Sequence, residues 1–271
     1  MPMDQALPSI AVLMCHAPIV IPAIGRSEAG RCAASTAAMR EAARRVVASG
    51  VETVALLSPH TPRLRHAYGV VAGEQIRGDF HAFGLPGPEL VFPADAALGA
   101  TCRRRAQDEG LELEPLAVGS LDHGACVPLW FLAEAGFRGR VAVFGFPWEV
   151  DGEFNRAFGR ALARAHAGLG RSWALVASGD MSHALQPGAP AGFHPRAAAF
   201  DEAVCACVEQ GDYAGLSALA PEWRALAAED AVASLEVADG VLAGAGSGRE
   251  RLSYEAPFGV GYLVAVLHEA P

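Results

Sequence analysis

Val54-Ala55-Leu56-Leu57-Ser58-Pro59-His60-Thr61-Pro62 is an apolar run that stops at a histidine held between two prolines. A short apolar run bounded by turn signals suits a strand buried on both faces, and each proline biases the residue before it toward extended geometry. The stretch therefore predicts a strand that delivers the His60 imidazole beyond its carboxyl end, where open α/β sheets bind ligands. The same grammar occurs earlier, in Ile10-Ala11-Val12-Leu13-Met14-Cys15-His16-Ala17-Pro18. Between the two, Ser27 as N-cap and Gly50 as the stop bound a predicted helix through Ala37, Met39 and Val46. Residues 9–60 then read as a β-α-β unit with parallel strands and a right-handed crossover, so His16 and His60 emerge at one edge of one sheet.

Further along, Arg140 to Phe146 and Trp173 to Ser178 read as two more buried strands with an amphipathic helix from Asp151 to about Leu169 between them. The second of these ends in Gly179-Asp180-Met181-Ser182-His183, a third strand-end histidine. Helices are also predicted for residues 94–109, 128–135, 195–210 and 223–242, and strands for 111–118 and 263–267. Tyr68 to Phe92 breaks into short extended pieces and Gly/Pro turns that could wall a pocket. The Gly244-Ala245-Gly246-Ser247-Gly248 cluster leads from helix to strand and not the reverse, so it reads as a flexible turn and not a dinucleotide fingerprint. With no repeat, linker or low-complexity tract, the expectation is one domain over residues 1–271. Its class is α/β, with a central, mostly parallel sheet flanked by helices and a metal pocket at one sheet edge.

Composition narrows the function classes. At 52% apolar and 19% charged residues the 271-residue chain reads as globular. A formal charge of −9 and the absence of any basic run argue against a nucleic-acid surface. All basic residues are arginine, a bias that carries no functional reading. Six cysteines without a CxxC pair fit a reducing cytoplasm. No leader-like segment is visible, and the apolar run from Ile10 to Ile24 is interrupted by His16 and two prolines. It falls short of the roughly 20 residues of a membrane helix, so no membrane association is expected.

Two histidines and one carboxylate with open positions are the preferred donor set of non-haem Fe(II) oxygenases. His16 and His60 supply the pair; Asp180, Glu229 and Asp230 are the carboxylates on offer. Asp180 also reads as a residue that orients a ligand histidine, since such histidines usually donate their second N–H to a fixed acceptor. Asp122-His123-Gly124 by itself reads as a turn with an Asx-type hydrogen bond.

The ordered set Met14-Cys15-His16-Ala17-Pro18, Ser58-Pro59-His60-Thr61-Pro62, Asp122-His123-Gly124-Ala125-Cys126-Val127-Pro128-Leu129, Ser178-Gly179-Asp180-Met181-Ser182-His183 and Tyr254-Glu255-Ala256-Pro257-Phe258-Gly259-Val260-Gly261-Tyr262 resembles the class III extradiol ring-cleavage dioxygenases. More narrowly it is similar to the branch of that family that includes the Memo proteins, from about residue 9 to 267. The resemblance implies a mononuclear Fe(II) held by His16, His60 and a later glutamate, for which Glu229 fits best with Asp230 in reserve. It further implies His183 as acid/base on a substrate hydroxyl and His123 beside bound oxygen and substrate. The implied partners are a small aromatic diol and O2, with a homo-oligomer or a small accessory chain also in keeping with the family. Asp230-Ala231-Val232 follows Glu229 where many relatives carry small or glycine residues, a departure at the third ligand. Memo-type proteins, which bind metal or peptide without ring cleavage, use a cysteine at that position. No cysteine follows Cys207 here, which favours the carboxylate version.

Overall fold

The computed structural model describes residues 6–149 and 151–271. Met1 to Gln5, part of the stretch read for a leader, lie outside the described residues. The strands are β1 (Ile10–Met14), β2 (Thr53–Ser58), β3 (Tyr68–Val71), β4 (Gln75–Phe80), β5 (Leu85–Pro93), β6 (Leu113–Leu116), β7 (Arg140–Gly145), β8 (Trp173–Ser178), β9 (Glu250–Glu255) and β10 (Tyr262–Glu269). The helices are α1 (Pro22–Gly25), α2 (Ala33–Ala48), α3 (Ala96–Asp108), α4 (His123–Glu134), α5 (Gly152–Leu169), α6 (Ala197–Gln210), α7 (Tyr213–Ser217), α8 (Pro221–Ala227) and α9 (Val232–Leu242).

Eight strands form one sheet in the order β6-β3-β7-β2-β8-β1-β10-β9, and β4 pairs with β5 as a separate hairpin. The centre, β7-β2-β8-β1, is parallel throughout. Antiparallel β10 and β9 close one side, and β3, antiparallel to β7, continues the other side to β6. The central strands read as unbroken apolar runs because both their faces are covered. Ala11, Leu13, Ala55, Leu57, Phe144, Leu175 and Ala177 face α3, α5, α6 and α9. Their alternates Val12, Met14, Val54, Leu56, Val143 and Val176 face α2, α4 and the β4–β5 hairpin. This is a single α/β domain, as the apolar pattern predicts.

Three local expectations change. The helix after His16 starts five residues later than the Ser27 cap predicts, because residues 26–32 form a tight 3-10 stretch and Ser27 makes no cap bond. The helix predicted from Pro128 starts at His123, with Asp122 as N-cap accepting from Ala125 N–H. The long helix predicted over 223–242 is two helices, broken at Ala228, which takes a left-handed φ of 53°. Glu229 and Asp230 therefore sit in the break and not on a helix face.

β1 and β2 are parallel but not neighbours: β8 lies between them. The end of β8, with Asp180 and His183, is thus inserted between the two histidine-bearing strand ends.

One core feature sets a pH dependence. His166 of α5 is buried and stacked on Trp173, with ring centroids 3.8 Å apart and planes at 7°, and neither ring nitrogen has a hydrogen-bond partner among the described residues. Burial pushes its pKa down to about 3. Below about pH 6.5 the unfolded chain binds a proton here that the folded chain refuses, so stability falls as pH drops through that window, by up to roughly 1.4 kcal/mol per pH unit. His166→Phe keeps the stacked ring and removes the proton. In urea unfolding, the loss of stability between pH 7 and pH 4.5 is expected to be smaller in the variant by about 2 kcal/mol.

Candidate metal centre

His16, His60 and His123 bring their ring nitrogens to one point, with donor atoms all within 4.8 Å of one another. Each arrives by a different local device. His16 follows β1, and its backbone N–H donates to Asp180 Oδ1 at 2.9 Å. His60 follows β2 through a loop tied down by Asp122, whose carboxylate accepts from Ser58 Oγ at 2.6 Å and from Thr61 Oγ1 at 2.8 Å. The same carboxylate caps α4, so one side chain fixes both the His60 loop and the first turn of the helix that begins with His123. Gly124 permits this approach, since a Cβ there would meet Ser58 Oγ at 2.5 Å and His60 Cδ2 at 3.1 Å.

The protonation of His16 follows from its neighbours. Ser178 Oγ donates to the Gly124 carbonyl at 2.6 Å and lies 3.0 Å from His16 Nδ1. A hydroxyl has one proton to give. With that proton spent on Gly124, Ser178 accepts from His16, so the Nδ1 carries hydrogen and Nε2 is the nitrogen that faces the cluster and would offer its lone pair to a cation once the ring is neutral. His16 Nε2 lies 3.1 Å from His60 Nε2.

The carboxylate that meets this pair is Asp230, not Glu229. Asp230 Oδ2 is 3.4 Å from His16 Nε2 and 3.2 Å from His60 Nε2. Its other oxygen accepts from Asp180 N–H at 2.7 Å, and Asp230 N–H donates back to the Asp180 carbonyl at 3.2 Å. Glu229, the glutamate favoured from sequence, turns the opposite way. Its Oε1 accepts from Arg224 Nε at 2.7 Å and its Oε2 from Val232 N–H at 2.8 Å, so it neutralises an arginine and caps the start of α9. The break at Ala228 reverses the expected order of the two acids: Glu229 is taken up by Arg224 and the start of α9, and Asp230 reaches the histidines.

The electrostatics follow the same division. Burial resists charge on His16, but Asp180 and Asp230 outweigh it and lift the pKa to about 9. Burial works against Asp230 as a carboxylate, yet His16 and His60 hold its pKa well below the usual range. Asp180 is pushed up by burial, against the pull of His16. His123, in contrast, is lowered to about 4 by burial and by His60 and His16. Glu229 is raised by burial, with Arg224 opposing.

Two imidazole nitrogens and one carboxylate oxygen at mutual separations of 3.1–3.4 Å suit a cation bound at roughly 2.0–2.2 Å by each. Ser178 as the acceptor behind His16 is the outer support that such a ligand needs. The residues present therefore fit a metal ion. His183 stands outside the three-histidine cluster. It follows Asp180 by three residues, its backbone N–H donates to the Ala227 carbonyl at 2.8 Å, and its Nδ1 is buried without a hydrogen-bond partner among the described residues. Phe83, on the β4–β5 hairpin, approaches His123 with ring centroids 5.8 Å apart, so the segment read as a pocket wall does reach the cluster. Ser178 and the bridging role of Asp122 went unread in the sequence, although a serine closing an apolar strand was the available signal.

The fold is that of a ring-opening dioxygenase-like domain, and its histidine group could hold a metal ion. The chain belongs to the family of the catalytic LigB subunit of aromatic ring-opening dioxygenase, whose family model matches residues 10–265. Among curated proteins it is similar to Protein CA_C1420 of Clostridium acetobutylicum, 27% identical over 265 residues that cover 94% of this chain and 56% of the relative. The chain thus spans about half the length of that relative. Among solved structures it is similar to uncharacterized protein JW3007 from Escherichia coli K12, with a TM-score of 0.60, 18% identity and coverage of 96% of this chain and 99% of the other. That likeness is one of fold. No helix among the described residues is long and apolar enough to cross a membrane.

Proposed function

We propose that this chain is a non-haem Fe(II)-dependent extradiol dioxygenase that inserts O2 into a catechol- or aminophenol-type aromatic. The observation that carries the reading is the meeting of His16, His60 and Asp230 at 3.1–3.4 Å, a two-histidine, one-carboxylate face beside a third imidazole. Iron bound there would lower the pKa of a chelating diol and give O2 a site next to it.

The side chains supply the rest. Asp230 and the two histidines would hold the metal, and Ser178 and Asp122 position the histidines. His123 is neutral throughout the physiological range, because burial and its two neighbouring imidazoles disfavour its cation. A neutral ring beside the cluster can donate one N–H to negative charge that develops there without adding to the positive charge of the site. His183 is the group assigned to take a proton from the substrate hydroxyl, a task suited to an imidazole near pH 7. The same reading includes the aromatic diol, O2, and association with a second copy or with a small accessory chain. A reducing cytoplasm suits it too, as all six cysteines are free.

The test is oxygen consumption by protein loaded anaerobically with Fe(II), mixed with a panel of catechols and aminophenols while the yellow ring-opened product is followed by absorbance. Uptake with colour is expected. Iron retained without uptake for any diol would overturn the reading in favour of a metal-binding relative without ring cleavage.

A further inference from the structure

Helix α6 buries one acid, Asp201, alongside Phe200, Val204 and Cys205. Both of its oxygens are taken by uncharged donors: Oδ1 accepts from Ser182 N–H at 2.9 Å and Oδ2 from Tyr254 O–H at 2.6 Å. Ser182 precedes His183, so the carboxylate reaches the segment that carries the third strand-end histidine. Tyr254 lies on β9 in the stretch from Tyr254 to Tyr262, and that stretch grips the same segment by its backbone. Met181 N–H donates to the Gly261 carbonyl at 2.8 Å, Gly261 N–H to the Ser182 carbonyl at 2.9 Å, and Leu185 N–H to the Gly259 carbonyl at 3.1 Å. A Cβ at Gly261 would run into Asp201 Oδ2 and Met181 Cβ, so only glycine lets the carboxylate this close. From a third direction the Ala227 carbonyl accepts from His183 N–H at 2.8 Å. Of these grips, the one made by Asp201 is a side chain, which a substitution removes without touching backbone. Burial lifts the Asp201 pKa to about 6 against the pull of the Tyr254 and Ser182 bonds, with Glu229 adding to the lift and His183 opposing it. At neutral pH the carboxylate prevails, the form that accepts two bonds and donates none.

We infer that Asp201, steadied by Tyr254, is the positioning residue of His183: through Ser182 N–H it fixes the backbone from which that imidazole projects, and so the direction in which the ring meets a bound substrate. The inference rests on the ring-cleavage reading for what His183 does, and on the bonds of Asp201 alone for how the ring is held. His183 Nδ1 is buried with no hydrogen-bond partner among the described residues, so no bond at that nitrogen orients the ring and its aim depends on its backbone. An error of about 1 Å in the placement of such a group lowers turnover by up to ~100-fold.

Two measurements on Asp201→Ala, Asp201→Asn and Tyr254→Phe test this. In the first, Fe(II)-loaded protein is assayed for oxygen uptake with the diol that the unaltered protein consumes fastest. Asp201→Ala leaves Ser182 N–H without its acceptor. It should lower kcat at least about tenfold and leave KM within about twofold, since on the ring-cleavage reading the metal, not His183, holds the diol. Asp201→Asn keeps an oxygen for Ser182 N–H and gains an amide that can donate to the Tyr254 oxygen, so kcat should recover to within about threefold of the unaltered protein. Tyr254→Phe should fall between the two. In the second measurement, Zn(II)-loaded protein carrying 13C-labelled histidine is followed by NMR without substrate, the His183 ring signal being assigned from His183→Gln. Asp201→Ala should shift or broaden that signal and leave the signals of His16, His60 and His123, and the zinc content, unchanged. A His183 signal that stays in place in Asp201→Ala, an unchanged kcat, or a loss in Asp201→Asn as deep as in Asp201→Ala overturns the inference. Should Asp201→Ala fail to fold, Tyr254→Phe carries the same two tests. If the unaltered protein consumes no oxygen with any diol while the His183 signal responds to Asp201→Ala, the ring-cleavage reading falls and the positioning by Asp201 stands.

Discussion

Asp230→Ala is expected to strip the protein of tightly held metal, while Glu229→Gln is expected to leave the metal content unchanged. The two acids are adjacent in sequence and opposite in role. Asp230 Oδ2 stands 3.2 and 3.4 Å from the two ring nitrogens, and Oδ1 is anchored by Asp180 N–H, so the free oxygen has one direction in which to act. Removing it deletes the one carboxylate contact that His60 makes among the described residues and leaves the imidazoles of His16, His60 and His123 without that carboxylate. Loss of a supporting residue around a metal ligand already costs 10–100-fold in affinity, so loss of the ligand itself should cost at least about 100-fold. Glu229→Gln instead weakens the pair with Arg224 and keeps an acceptor for Val232 N–H. Its cost should appear as stability, roughly 1–3 kcal/mol for a buried charge-assisted bond. Metal stoichiometry after dialysis against a weak chelator, with thermal unfolding of both variants, separates the outcomes. Loss of metal from Glu229→Gln with retention in Asp230→Ala would reverse the assignment.

Gly179→Ala is expected to be the most damaging small substitution near the site. A Cβ at residue 179 would stand 2.4 Å from Ala231 Cα and 3.0 Å from Ala231 N, backbone atoms that cannot turn aside. The two segments must therefore separate, and the reciprocal bonds between Asp180 and Asp230 run through that same contact. Overpacking of this kind costs about 1–3 kcal/mol, which lowers Tm by roughly 3–10 °C in a chain of this size. Metal affinity should fall with it, because Asp230 moves with residue 231. Gly30→Ala serves as control: nothing lies within 4 Å of the added methyl group, and neither stability nor metal binding should change beyond about 0.5 kcal/mol. Equal behaviour of the two variants in calorimetry and metal titration would show that the close approach at residue 179 is dispensable.

What could be read in advance and what could not divides along a physical line. Strands buried on both faces must be apolar throughout, so Val54 to Leu57, Ile10 to Met14 and Trp173 to Ala177 announce themselves, and the histidines that end them are conspicuous. Their convergence at one edge follows from parallel strands. The third ligand, the carboxylate, was not legible in that way. Leu226-Ala227-Ala228-Glu229-Asp230-Ala231-Val232 is made mostly of good helix formers, and local preference carries the helix straight through it. The helix breaks because distant groups claim its backbone. Ala227 O accepts from both His183 N–H and Ser182 Oγ, and Asp230 N–H pairs with Asp180. Contacts from 45 and 50 residues away leave no mark on local periodicity. The same holds for Ser178, whose hydroxyl sets the tautomer of a histidine 162 residues earlier.

The interposition of β8 between β1 and β2 has a temporal consequence. On a chain made from its amino terminus, β1 and β2 are complete long before residues 173–178 exist, and no hydrogen-bonded ladder joins them until β8 is laid between. The distance between His16 and His60 is therefore set late. The acid arrives later still, since Asp230 is oriented by Asp180 at the end of that same strand. A nascent chain that ends before residue 173 carries His16, His60 and His123 but neither the strand that spaces the first two nor Asp230. The full set of His16, His60 and Asp230 therefore exists only in the finished fold.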